Sequence, residues 1–149
     1  VGERMPSWVC DGWAEYARRM LRGLSLELRE VPLARRGRNA DVARLRRDEG
    51  AALLSSAGSA ARIVALDRGG RAWSTERLAQ RVESWMGEGR DCAFLIGGPD
   101  GLDPACLQAA DEAWSLGPLT LPHPLVRVVL AEQLYRAWTI LRNHPYHRA

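Results

Sequence analysis

The chain closes on "RNHPYHRA", residues 142–149, which places two imidazoles, a phenol and two guanidinium groups within eight positions. Imidazole exchanges a proton near neutral pH, and guanidinium holds an anion with a planar fork of donors. His144, Tyr146, His147 and Arg148 are therefore candidates for acid–base or anion-stabilising chemistry. The plainer reading is a frayed terminus that happens to be polar. Three further stretches have the make-up of ligand loops: Leu66–Asp67 leading into "RGGRAWS", "IGGPDG" at 96–101, and "SLGPLTLPHP" at 115–124.

"IGGPDG" lacks the Lys-Ser/Thr ending of a phosphate-binding Walker loop and is not G-x-G-x-x-G. Adjacent glycines still let a backbone approach a flat ligand with no Cβ between them, and a simple tight turn explains them as well. In "GPLTLPHP" three prolines stiffen a segment whose remaining amides and carbonyls could read a base edge, or could merely connect strand to helix. Asp67 could bind a ribose or an amine, and is as well suited to a turn. His123 sits at a helix start, where neutral packing is the commoner role. Of six tryptophans, most fit helix faces as core residues, and Trp73 lies in the loop after Asp67.

All 21 basic residues are arginine, and ten of them fall between Arg18 and Arg47 against three acids, Glu27, Glu30 and Asp41. The densest run is "ARRGRNADVARLRR", with Arg35, Arg36 and Arg38 at its head. Arginine grips phosphate with two hydrogen bonds, so this clustering points to an RNA or DNA face. A GC-rich genome would explain the absence of lysine, though not the clustering.

The positioning elements follow from periodicity. Residues 6–23 form a helix with Val9, Trp13, Tyr16, Ala17, Met20 and Leu21 on one face and Arg18, Arg19 and Arg22 at its edge. Residues 24–31 alternate as a strand does, and 39–58 read as a helix ended by Gly58. The stretch 61–67 is a buried strand, and Ser74 caps a helix that stops at Gly87 or Gly89. Residues 92–98 form a central parallel strand, 104–114 a helix with proline at its first position, and 119–121 a brief strand. A long helix runs from Pro124 to about Asn143. Alternating strands and helices with short loops predict one α/β domain, a mostly parallel sheet with helices on both faces. The apolar stripe of the last helix, at 125, 126, 128–130, 134, 135, 137, 138, 140 and 141, is wider than one sheet needs: either the helix is central or it packs against another chain, and a domain this small favours a dimer interface.

With 149 residues, 46% hydrophobic and 26% charged, the chain can bury a core without staples. Cys10, Cys92 and Cys106 make neither a disulfide framework nor a zinc spacing, so no metal is expected. No apolar run reaches the ~18 residues of a membrane helix, and nothing at the start reads as a signal peptide, which makes the cytoplasm the expected compartment. The opening "VG" reads as the tail of a strand that begins before the first residue.

Taken together, "RRGRNAD", "LIGGPDG", "AWSLGPLTLPHPLVRVVLAEQLYRAW" and "NHPYHR" resemble the bacterial ribosomal large subunit methyltransferase H family, of the SPOUT class, over nearly the whole chain and in order. The resemblance implies a C-terminal trefoil knot and a homodimer. It also implies methyl transfer from S-adenosylmethionine to N3 of a pseudouridine in helix 69 of 23S rRNA, within the ribosome. By position it places cofactor contacts on Leu66, Gly98, Gly117, Pro118, Leu119, Thr120, Leu121 and Pro122, at the same three strand ends singled out above. Relatives often carry serine where this chain has Gly117. The imide nitrogen N3 bears a proton and must lose it before attack, so a proton acceptor or an anion-stabilising cation is needed beside the cofactor. The resemblance assigns that work to the tail, with Arg148 stabilising the anion or a phosphate and a histidine taking the proton. A SPOUT enzyme acting on another RNA such as tRNA, and a non-catalytic ribosome-binding module, are the alternative readings.

Overall fold

The computed structural model describes residues 1–2, 4–20, 24–59 and 61–148. Two compact units are each assembled from separated stretches of sequence. The first comprises Val1–Arg4, Arg29–Ala72 and Arg90–His123; the second comprises Met5–Leu28, Trp73–Gly89 and Pro124–Ala149.

The first unit is built on three strands, β1 (Arg62–Ala72), β2 (Cys92–Ile96) and β3 (Glu112–Ser115), all parallel, in the order β2-β1-β3. Leu66 stands opposite Ile96 on one side and Trp114 on the other, so all three strands finish along one edge. At the opposite end the Asp111 carboxylate accepts from the Ile63 amide at 2.8 Å and the Asp111 amide donates back to Ile63 at 2.9 Å, which starts the β3 ladder. Helices α2 (Val42–Ala57) and α4 (Pro104–Ala109) contribute Leu53 and Cys106 to a buried cluster with Val31, Ala65, Leu95 and Leu102. Each aliphatic side chain removed from water in this way stabilises the fold by about 1.5–3 kcal/mol. The helix starts follow from chemistry that is visible in the sequence. Asp41 accepts from the Arg44 amide at 3.2 Å, Asp103 accepts from the Ala105 amide at 2.9 Å, and Pro104 occupies the first turn, where a missing N–H costs nothing.

The second unit holds α1 (Ser7–Arg19), α3 (Thr75–Glu88), α5 (His123–Leu141, whose first residue falls in the first unit) and a closing 3-10 turn (Pro145–Arg148). Ser74 caps α3 through the Arg77 amide at 3.2 Å, and Gly89 ends it in the left-handed conformation. Val9, Met20, Leu78, Val82, Trp85, Leu130, Leu134 and Tyr135 are buried. Trp73 is a packing residue here: its ring lies 6.1 Å from that of Trp85, with the Arg81 guanidinium 5.7 Å from its centre.

The α/β class and the parallel sheet agree with the sequence, but two strands and several boundaries differ. Residues 24–31 form no strand: Leu24–Leu28 belong to the second unit and Arg29–Val31 to the first, so the segment is divided rather than paired along the sheet of the first unit. The helix expected over 104–114 stops at Ala109, and its last residues become β3, drawn into the sheet by the Asp111–Ile63 pairing. Residues 119–121 are loop rather than strand, flanked by Pro118 and Pro122, which have no amide to donate. Strand β1 runs on to Ala72, beyond the expected end at Asp67. Gly58 ends α2 with φ +83° but ψ 151°, outside the left-handed helical geometry expected there. The expected first helix ends at Arg19; Leu21 and Arg22 lie outside the described residues.

Candidate active site

The three ligand loops named from the sequence all leave the same edge of the sheet. Leu66, Ile96 and Trp114 share a row, and Asp67, Gly97–Gly98 and Leu116–Gly117 follow directly. That edge, beyond the carboxyl ends of parallel strands, is where open α/β sheets receive ligands.

β1 does not run straight through this edge. Both Leu66 and Arg71 pair with Trp114, so Asp67 to Gly70 loop out and return to the same neighbour. The Asp67 carboxylate accepts from the Gly69 amide at 2.8 Å, which is the turn role rather than a free ligand. Position 70 has to be glycine: a Cβ there would lie 2.7 Å from the backbone of Ala113 and Trp114. The excursion presents Arg68, whose guanidinium donates to the Thr120 hydroxyl at 2.9 Å and ties the β1 tip to the proline loop.

In that loop Pro118, Leu119, Thr120 and Pro122 are exposed and Leu121 is half-buried. Leu119 is 75% exposed, a large apolar side chain with no protein cover. Among the described residues nothing accepts from the amides of Leu119 to Leu121. Ser115 fixes the entry to the loop, its hydroxyl donating to the Gly117 carbonyl at 3.2 Å and accepting from the Gly117 amide at 3.3 Å. Free main-chain groups beside an uncovered apolar surface suit a flat heterocycle with polar edges.

The middle loop is a tight turn in which the Gly101 amide donates to the Gly98 carbonyl at 3.0 Å. Behind it lies Glu49 of α2, 4% exposed. Glu49 Oε1 accepts from the Ala34 amide at 3.0 Å and from Arg36 at 3.1 Å, and the other guanidinium nitrogen of Arg36 reaches Asp100 at 2.6 Å. Asp100, and then Glu49, hold the Arg36 guanidinium above its ordinary range. A Cβ at position 98 would come within 2.8 Å of Glu49 Oε2, so a side chain there would have to displace that buried carboxylate.

The four tail residues belong to the second unit, and the tail is structured. The Tyr146 hydroxyl donates to Glu132 Oε1 at 3.1 Å, its ring meets that of Tyr135 edge-on at 4.7 Å, and the Arg136 guanidinium lies 5.0 Å from its centre. Arg136 also pairs with Glu132 at 2.6 Å, as the i,i+4 spacing anticipates. Burial, then the Tyr16 hydroxyl and the Glu132 carboxylate, push the Tyr146 phenol well above its ordinary range. It is therefore an anchor that keeps its proton and donates a hydrogen bond. His144 accepts from the Tyr146 amide through Nδ1 at 3.2 Å. His147 is half-buried, and its Nδ1 has no partner among the described residues. Arg148 is exposed.

Of the arginines expected to meet phosphate, Arg35 and Arg38 are exposed, whereas Arg36 is engaged by Glu49 and Asp100. Sequence reasoning missed Arg68, Glu49 and Asp100, which depend on pairings across 13 to 64 residues, and read Glu132 only as the i,i+4 partner of Arg136. Among the described residues no group of three His, Cys, Asp or Glu could hold a metal, and no helix is long and apolar enough to cross a membrane.

A family model described as a predicted SPOUT methyltransferase matches residues 1–147. The ribosomal RNA large subunit methyltransferase H of Methylococcus capsulatus is 59% identical over 148 residues, which cover 99% of this chain and 96% of the relative. Proteins of the same name from Thioalkalivibrio sulfidiphilus and Hahella chejuensis are each 56% identical over 99% of this chain and 95% of their own length.

Proposed function

The chain belongs to the SPOUT methyltransferase family, and from that premise we propose that it moves a methyl group from S-adenosylmethionine to N3 of a pseudouridine in helix 69 of 23S rRNA. The observation that carries this reading is the common row of Leu66, Ile96 and Trp114, which sets the three expected cofactor segments at one sheet edge. The names of the three relatives support ribosomal RNA as the substrate.

The residues present fit such a donor. Open amides at Leu119 to Leu121 and the bare face of Leu119 would hold an adenine ring, and Leu66 and Gly98 would line the rest. S-adenosylmethionine supplies a methyl group on a cationic sulfur, which leaves when an electron-rich nitrogen approaches in line. The chain has to supply the rest. Stiff loops hold the donor in place so that little freedom is lost at the moment of transfer. A tail histidine takes the N3 proton, and Arg148 stabilises the resulting anion. Tyr146, anchored on Glu132, sets the tail's position. Arg35 and Arg38 grip rRNA phosphates. The half-buried apolar residues of α5, among them Val126, Val129 and Ile140, support a homodimer. The family's C-terminal knot and a cytoplasmic, ribosome-bound setting belong to the same reading.

The deciding experiment is mass mapping of methylated nucleotides after incubating ribosomes, and separately bulk tRNA, with the protein and S-adenosylmethionine. One new methyl on the helix 69 pseudouridine is expected, lost in Arg148→Ala while donor binding persists. Labelling of tRNA alone would overturn the substrate assignment. Binding of ribosomes without any donor affinity would overturn the enzymatic one.

A further inference from the structure

Glu49 is a buried carboxylate that the methyl-transfer chemistry does not use. Its Oε1 holds the Ala34 amide and Arg36, while Oε2 has no hydrogen-bond partner among the described residues and lies where a Cβ on Gly98 would collide with it. Burying a carboxylate costs several kcal/mol unless a cation compensates. Arg36 is the cation here, and its free arm extends to Asp100 in the turn that leaves β2. A loop residue, a helix residue and a turn residue, distant in sequence, are thus joined through one guanidinium.

The outer half of this arrangement is partly open to water, with the side chains of Arg36 and Asp100 28% and 30% exposed. Ion pairs so placed add little to stability, about 0–1 kcal/mol. What the Arg36–Asp100 bond does fix is direction. Besides the main-chain hydrogen bond from Gly101 to Gly98, the turn is tied through Arg36 to Glu49 of α2. Order that is already present need not be created when a ligand binds, which favours affinity.

We propose that Glu49, Arg36 and Asp100 form a positioning clamp that pre-sets the Gly98–Gly101 turn for the methyl donor. The clamp rests on the reading that this turn contacts the donor, and it governs donor affinity rather than the rate of transfer. None of the three residues touches the reacting atoms; each acts through the turn. Arg36 is thereby withdrawn from the phosphate-binding set, leaving Arg35 and Arg38.

The test is calorimetry with S-adenosylmethionine on the parent protein, Asp100→Asn, Asp100→Glu and Arg36→Gln, with thermal melts and steady-state methylation alongside. Losing this partly exposed pair should raise the donor Kd and KM about threefold to fivefold in Asp100→Asn and Arg36→Gln. Turnover at saturating donor should stay within about twofold of the parent. Asp100→Glu, whose longer arm still reaches Arg36, should restore the parent affinity. A parent protein with no donor affinity would sink the underlying reading and the clamp together. Parent-like affinity in Asp100→Asn, or no rescue by Asp100→Glu, would overturn the clamp alone. Should Arg36→Gln fail to fold, the partly exposed Asp100 pair still decides the matter.

Discussion

Arg68 and Thr120 are 52 residues apart in the chain and meet at 2.9 Å, joining the looped-out tip of β1 to the proline segment. Arg68 is exposed, so Arg68→Ala should change unfolding free energy by no more than about 0.5 kcal/mol. If the bond holds the loop ready for the donor, the same substitution should raise the donor KM severalfold. A urea melt and a donor titration on one preparation check both parts. A large loss of stability with unchanged KM would make Arg68 a structural residue only.

Gly70 passes against the backbone of Ala113 and Trp114 with no space for a side chain. Gly70→Ala should therefore destabilise the protein by about 1–3 kcal/mol, since main chain cannot step aside as a side chain can. Gly87 of α3 faces open space, and Gly87→Ala there should be neutral or stabilising by up to about 1 kcal/mol. Chemical denaturation of the two variants side by side gives the comparison.

These two glycines also mark what the sequence does and does not disclose. "IGGPDG" and "GPLTLPHP" were legible because glycine and proline act locally, and a strand end followed by such residues is a loop wherever it occurs. The cap at Ser74 was legible for the same reason, whereas those at Asp41 and Asp103 were not anticipated. β3 was not, because "DEAW" continues a helical period and becomes a strand only once Asp111 finds Ile63. Nor was the fate of Arg36: a run of arginines reads as a phosphate face until a distant Glu49 and Asp100 claim one member.

The Tyr146 phenol is held protonated above its ordinary range by burial, Tyr16 and Glu132. The folded form therefore keeps its proton more tightly than the unfolded one. Its contribution to stability is complete below the unfolded value of about 10 and is lost as pH rises from there through the folded value. The stability difference between the parent and Tyr146→Phe should accordingly be flat from pH 7 to about 10 and shrink above it. Near-ultraviolet titration of the three tyrosines should show one ionising late, and that one should vanish in the variant. An identical alkaline profile in both proteins would refute the anchor.

Arg35 and Arg38 are exposed at the head of the arginine run. Replacing each with alanine should lower the slope of log affinity for ribosomes against log salt by about 1 per residue, with donor affinity unchanged. Filter binding across a salt series measures it; an unaltered slope would remove both from the RNA interface.

Because the three strands are parallel, the three candidate donor loops depart from one rim, and the chain enters β1 from the other, after the exposed Gly58 and Ser59. The bend at those two residues is thus the natural place for a fluorophore, an epitope or a surface tether. A handle grafted there would allow single particles to be followed or immobilised without crowding those three loops.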